Sequence, residues 1–169
     1  MRRVRFSAAV SLDGYIAGPN GESDWIVMDP DIDFSALMGA FDTILLGRKT
    51  YEVTRQYGGG GTPGTRAYVF SHTLRQEDCP GVTVSRDLKE TVKELKAGSG
   101  KDIWLFGGGG LFRSLLELRL VDSVELAVIP VLLGGGLPFL PHLATQTKLR
   151  LNKHQVYPKT GTVSLEYAP

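Results

Sequence analysis

The chain has 169 residues, 19 basic against 18 acidic side chains and a formal net charge of +1, with 42% hydrophobic and 22% charged residues. That is the composition of one ordinary globular domain, long enough to bury about two thirds or more of its unfolded surface without disulfide staples. The near-neutral balance gives no basic field for a nucleic acid and no basic amphipathic stretch marks a membrane surface, so no nucleic acid and no membrane partner is expected. Cys79 is the single cysteine, and His72, His142 and His154 are scattered. An internal disulfide is excluded and no metal site is expected, because thiolate clusters need two to four sulfurs and no His pair has ligand spacing. The start, Met1 to Phe6 followed by Ser7 and Ala8, lacks the apolar segment of an export signal, so a cytoplasmic location is expected.

In chain order, Val4 to Val10 reads as a buried first strand, followed by a polar loop from Ser11 to Asp24 rich in turn residues. Ile32 to Phe41 has helical spacing, Thr43 to Leu46 is a β-rich run ending at Gly47, and Lys49 to Gln56 is a short helix. Ala67 to Phe70 and Val82 to Val84 are further strands. Asp87 can cap a helix running to about Lys96, with the apolar stripe Leu88, Val92 and Leu95. Asp102 to Phe106 is a short apolar run of strand type, Leu111 to Leu118 is helical, and Ser123 to Leu133 is a long strand. Lys148 to Tyr157 and Gly161 to Tyr167 alternate apolar and polar residues around Pro158-Lys159-Thr160-Gly161, which is a hairpin pattern. Repeated β-α units ending in such a hairpin predict a single α/β domain over residues 1–169, a three-layer α/β/α arrangement on a mainly parallel mixed sheet with a C-terminal antiparallel hairpin.

Glycine is the unusual residue: 21 of 169 is about 12%, against an average near 7%. Eleven lie in three runs, Gly58 to Gly61, Gly107 to Gly110 and Gly134 to Gly136, with no period relating them. The stretch Gly59 to Gly64 matches G-x-G-x-x-G, yet it follows a polar segment, contains Pro63 and leads into no helix, so the match is read as accidental and the stretch as a mobile loop. Gly107 to Gly110 instead joins an apolar strand to a helix. A tight turn there needs only one or two glycines, whereas four let an anionic diphosphate approach the unpaired amides and positive dipole end of the helix.

Five blocks then stand in order: Ser11 to Ala17, Leu45 to Glu52, Val69 to Leu74, Phe106 to Phe112, and Leu120 to Asp122 continuing through Pro130 to Gly136. Together they resemble the dihydrofolate reductase-like family, specifically its riboflavin-biosynthesis branch, the reductase domain of the bifunctional deaminase-reductase. The resemblance implies NADPH across the carboxyl ends of the parallel strands. Gly47, Arg48 and Thr50 would face phosphate, though Arg48 also fits a solvated surface charge. Ser71, His72 and Thr73 would meet the adenosine end and its 2′-phosphate, though a Ser-x-Thr turn explains them nearly as well. Gly107, Gly108, Gly109 and Gly110, with Leu111 and Phe112, would hold the diphosphate and flank the nicotinamide ribose. Ala9, Ile16 and Ala17 would line the nicotinamide, although Ala9 and Ile16 read equally as core.

On the substrate side the candidates are Asp13, Trp25 and Asp29, with Asp13-Gly14 also fitting a plain turn. Folate reductases place a carboxylate a few residues after a Trp and a Thr on a later strand. Here Trp25 precedes Ile26-Val27-Met28-Asp29-Pro30, Asp29 and Asp31 also fit helix caps, and the strand position reads Ala127. The departure argues against folate reduction. One cysteine also excludes the zinc site of the deaminase half. The implied activity is reduction of 5-amino-6-(5-phosphoribosylamino)uracil at the ribosyl C1′; the rivals are a nucleotide-binding protein without turnover and a dihydrofolate or pterin reductase. The resemblance further implies a homodimer; the apolar segment Val128 to Leu133 fits it, because Pro130 suits a sheet edge or bulge, though buried sheet core explains the segment equally well. It also implies a cis peptide between Gly107 and Gly108.

Overall fold

The computed structural model describes residues 1–56 and 64–169, so the run Gly58 to Gly61, and with it most of the fingerprint-like stretch, lies outside the described residues. Alternation along β1 (Val4–Ser11) sends Val4 and Phe6 to one face of a sheet and Arg5, Ser7 and Ala9 to the other. That sheet has eight strands in the order β5 (Thr83–Ser85), β4 (Arg66–Phe70), β3 (Phe41–Gly47), β6 (Asp102–Gly107), β1, β7 (Ser123–Ile129), β10 (Thr162–Ala168), β9 (Arg150–Tyr157). The first six run parallel to their neighbours, while β10 is antiparallel to both β7 and β9. The expected mainly parallel sheet with a C-terminal hairpin is therefore present.

Helices α3 (Leu88–Ala97) and α4 (Gly109–Glu117) cover one face, where Val92, Leu95, Phe112 and Leu115 join Val4, Phe6, Leu45 and Leu105 in the larger core. Phe6 and Phe112 stack with ring centroids 3.9 Å apart. Helix α2 (Arg48–Arg55) covers the other face over Ile44, Leu46 and Val69 through the buried Tyr51. The six-residue α1 (Phe34–Gly39) buries none of its side chains.

Several elements differ from expectation. Helix α1 starts at Phe34, where the Asp33 carboxylate accepts the Ala36 N–H, and Phe41 already belongs to β3. Strand β7 stops at Ile129, because Pro130 has no N–H to continue a ladder. Since β7 lies between β1 and β10, Pro130 sits at a strand end and not on a sheet edge; the edge on that side is β9, whose Leu151 and Val156 are about half exposed. The polar loop after β1 contains β2 (Tyr15–Ala17), which pairs antiparallel with β8 (Leu137–Pro138). Three residues paired with two are too short to leave a periodic pattern. The Gly107–Gly108 peptide is trans, as is every peptide among the described residues; the chain turns on the +84° φ of Gly108 instead, a conformation open to glycine.

Along β9 the register slips: Lys153 faces Glu166 while Leu151 faces Tyr167, leaving Asn152 as an extra, bulged residue. At the amino ends of the parallel strands, charges are paired. Buried Arg2 donates to the Lys101 carbonyl at 2.6 Å and to the Thr43 hydroxyl at 2.7 Å, and it pairs with the Asp42 carboxylate. Arg5 pairs with Glu125 at 2.6 Å, Arg3 with Asp102 at 2.8 Å and Lys96 with Asp122 at 2.5 Å.

Candidate functional site

The carboxyl ends of β4, β3, β6 and β1 lie side by side, and two helices begin there without side-chain caps. Gly47 caps α2 and Gly108 caps α4; by contrast, Asp33 caps α1 and Asp87 caps α3 with carboxylates that accept backbone N–H groups. A helix leaves its first amides unpaired and carries positive charge at that end, so an uncapped start favours an anion. Strands β3 and β6 are neighbours, which brings the two uncapped starts together.

Close packing explains the glycines. A Cβ on Gly47 would stand 3.3 Å from the Gly107 carbonyl oxygen, and one on Gly107 would stand 3.2 Å from Thr50 Cγ2. A Cβ on Gly108 would stand 3.0 Å from Thr50 Oγ1. The half-buried Thr50 therefore lies against the Gly107–Gly108 peptide, and its hydroxyl makes no hydrogen bond among the described residues. Gly110 has open space where a Cβ would be. Gly109 does not: its Cβ would meet the Pro138 and Phe139 carbonyl oxygens and Pro141 Cδ, each at 2.8 Å. Its glycine requirement comes from this chain segment, which crosses the first turn of α4, and not from open space for a ligand.

The remaining cofactor-side residues divide by surroundings. Arg48 is half exposed and donates to Glu52 at 2.8 Å, an i,i+4 surface pair of about 0.3–0.5 kcal/mol that a stronger anion can displace. Ser71 is buried, and its hydroxyl accepts the N–H groups of Thr73 and Leu74, each at 3.1 Å, so the turn alternative describes its present contacts. His72 and Thr73 are exposed. Leu111 is half-buried beside Gly47, whereas Phe112 is withdrawn into the core and its N–H is bonded to the Gly108 carbonyl. Ala9 is half-buried in register with Ala127 of β7, which in turn faces Ser164 of β10. Three small side chains thus form a row on one face of the sheet. Half-buried Ile16 and Ala17 lie in β2.

On the substrate side, the half-buried Trp25 donates its ring N–H to the Glu22 carbonyl at 3.0 Å. Asp29 is 1% exposed and does not cap a helix. One oxygen accepts the Asp31 N–H at 2.9 Å and the other the Thr160 hydroxyl at 2.8 Å. Burial pushes its carboxyl up, but the Asp31 N–H, the Thr160 hydroxyl and the nearby Lys159 charge hold it below the ordinary range, so it is ionised at neutral pH. Asp31 pairs with Lys159 at 2.7 Å and caps nothing either. Asp13 is bonded to the loop that leaves β7: the Leu133 and Gly134 N–H groups donate to it at 3.1 and 2.7 Å, and the Ser11 hydroxyl at 2.7 Å. Sequence reading missed Ser11 and Thr160. Ser11 carried no separate signal within its block, and Thr160 lies more than a hundred residues from the carboxylate it serves. Among the described residues, no group of three or more His, Cys, Asp or Glu side chains can hold a metal ion, and no helix is long and apolar enough to cross a membrane.

Known proteins share this architecture. The YyaP protein of Bacillus subtilis (strain 168), itself uncharacterized, is 38% identical over 181 aligned positions covering 98% of this chain and 94% of that protein. A solved structure from Shewanella sp. PV-4, whose name points to riboflavin biosynthesis, superposes with a TM-score of 0.82 at 27% identity over 99% of this chain and 98% of that one. Dihydrofolate reductase from Enterococcus faecalis, solved with NADP(H) and the compound RAB-propyl, has a TM-score of 0.68 at 17% identity, covering 98% of this chain and 95% of that one; it shares the fold. Residues 2–163 match the RibD C-terminal domain, and with this match, the shared sheet and the paired glycine-capped helices, the chain belongs to the RibD C-terminal domain family of reductases on a dihydrofolate reductase-like fold.

Proposed function

We propose that the chain is an NADPH-dependent reductase of the riboflavin type, acting on a small heterocycle-bearing substrate of the 5-amino-6-(5-phosphoribosylamino)uracil kind. The observation that carries this reading is the difference in helix caps: α1 and α3 spend a carboxylate on their first amides, while α2 and α4 begin at glycines and leave theirs open. Two positive helix ends, the Thr50 hydroxyl, unbonded among the described residues, and the open backbone at Gly110 suit a diphosphate. Arg48 and the turn Ser71-His72-Thr73 then suit a 2′-phosphate, and Ala9, Ile16 and Ala17 the nicotinamide. Bound NADPH would supply the reducing power, and the protein binds, orients and excludes water. The NADP(H) bound to the Enterococcus faecalis enzyme supports the choice of cofactor.

Two features weigh against folate. Asp29 already has partners on both oxygens within its own chain, and Ala127 offers no hydroxyl. Cofactor affinity and NADPH oxidation against a panel of ribosylaminopyrimidines and pterins test the assignment. The expected result is NADPH bound more tightly than NADH, with consumption on a pyrimidine and not on dihydrofolate. Rapid consumption on dihydrofolate would reassign the protein to folate reduction; tight binding with every substrate untouched would make it a nucleotide-binding protein. The family likeness also supports a homodimer, which light scattering at 18.4 kDa would overturn.

A further inference from the structure

The loop after β1 and the strap leaving β7, residues 131–138, are bonded into one body. The Leu12 N–H donates to the Val131 carbonyl at 2.9 Å, the Phe139 N–H donates to the Gly14 carbonyl at 3.1 Å, and β2 pairs with β8 between them. At the start of this contact stands Asp13. Its Oδ1 accepts the Ser11 hydroxyl and the Leu133 N–H, its Oδ2 accepts the Gly134 N–H, and Ser11, itself buried, also accepts the Tyr15 N–H at 2.9 Å. At its far end the strap reaches α4: Pro138, Phe139 and Pro141 leave no room for a Cβ on Gly109. The end of the strap and the residues that follow it thus pack against the first turn of the glycine-capped helix.

We propose that Asp13 is a positioning residue, its carboxylate clamping the 131–138 strap to the first loop and thereby fixing the wall of the cofactor site beside α4. The cofactor part rests on the reading given under Proposed function. Charge-assisted bonds from two successive backbone amides hold a strap more firmly than neutral ones. The alternative role, proton donor, suits the site poorly. The Ser11 hydroxyl first, then the Gly134 and Leu133 N–H groups, hold the carboxyl below its ordinary range against the effect of burial, so it has no proton to give at neutral pH.

The test combines hydrogen exchange with cofactor titration on the full chain. In Asp13→Ala the Leu133 and Gly134 amides should exchange about tenfold faster or more, and the NADPH Kd should rise about tenfold, the scale of one charge-assisted bond. Turnover at saturating NADPH should stay within about twofold. Asp13→Asn keeps one acceptor and should fall between. Ser11→Ala, a milder change, should reproduce the exchange effect in part should the Asp13→Ala chain fail to fold. Unchanged exchange at Leu133 and Gly134 overturns the clamp, and a collapse of turnover with unchanged Kd overturns positioning in favour of direct catalysis. A parent protein that binds no NADPH, while the variant still loosens both amides, upholds the clamp and overturns the cofactor reading alone.

Discussion

The two ends of the parallel sheet are built on opposite principles. At the amino ends, charges near the strands are paired: Arg2 with Asp42, Arg3 with Asp102, Arg5 with Glu125 and Lys96 with Asp122. At the carboxyl ends, the helix starts are bare glycines and the Thr50 hydroxyl has no hydrogen bond among the described residues. The first end spends its charges on holding the chain together; the second leaves two helix starts and one hydroxyl open beside groups that are bonded. Stability and ligand binding should therefore separate by position, and substitutions at each end can break or sharpen that division.

The largest effect is expected at the amino end. Asp42→Ala leaves the buried Arg2 guanidinium without its carboxylate, and breaking such a pair costs about 3–5 kcal/mol. Urea unfolding should show that loss, while NADPH affinity at a temperature where the variant is folded stays unchanged. This end also sets the response to acid. Burial pushes Asp42 and Asp102 up, but the Lys101 N–H, Thr43 hydroxyl and Arg2 charge around Asp42, and the Arg3 contacts around Asp102, hold both below their ordinary range. A carboxylate lowered on folding contributes stability above its unfolded pKa of about 3.9 and loses it as pH falls through the folded value. Unfolding midpoints measured downward from pH 5 should drop on the acid side, and less steeply in Asp42→Ala.

Gly109→Val is the next largest and crosses the division. The added side chain meets two carbonyl oxygens at 2.8 Å, so a stability loss of about 1–3 kcal/mol should accompany weaker NADPH binding. A fully stable variant would show that the 138–141 segment yields freely. Arg48→Ala should cost about 1.5 kcal/mol of NADPH affinity with little change in stability, because the Glu52 pair it loses is exposed. Equal loss for NADH would remove the 2′-phosphate from its role. Thr50→Val, nearly isosteric, should cost about 1 kcal/mol of affinity for either cofactor and leave the unfolding midpoint in place.

Legibility followed the range of each interaction. The parallel strands, the Asp87 cap and the hairpin were readable because periodicity and capping are local: Asp87 bonds Glu90 three residues on, and β9 and β10 flank a four-residue turn. The glycine run at the β6–α4 junction was readable for the same reason. What was hidden depends on distant partners. Nothing near Asp29 announces Thr160, and nothing near Asp13 announces Gly134, so the local sequence offers only a substrate role, a turn or a helix cap and not the distant partner each carboxylate has. Gly109 misled differently: its neighbours in sequence suggest room for an anion, whereas the carbonyls that exclude a side chain arrive from some thirty residues downstream.

The bulge at Asn152 bears on how the protein keeps to itself in a crowded solution. Strand β9 is long, exposed and at the open margin of the sheet, the kind of edge on which further chains could stack their own strands and grow into aggregates. An extra residue at Asn152, followed by Lys153, interrupts the regular run of outward amides and carbonyls and increases the local twist. An incoming straight strand finds no continuous template there. Deleting Asn152 would straighten the margin, and the cost should appear as insolubility on storage before it appears as any loss of fold.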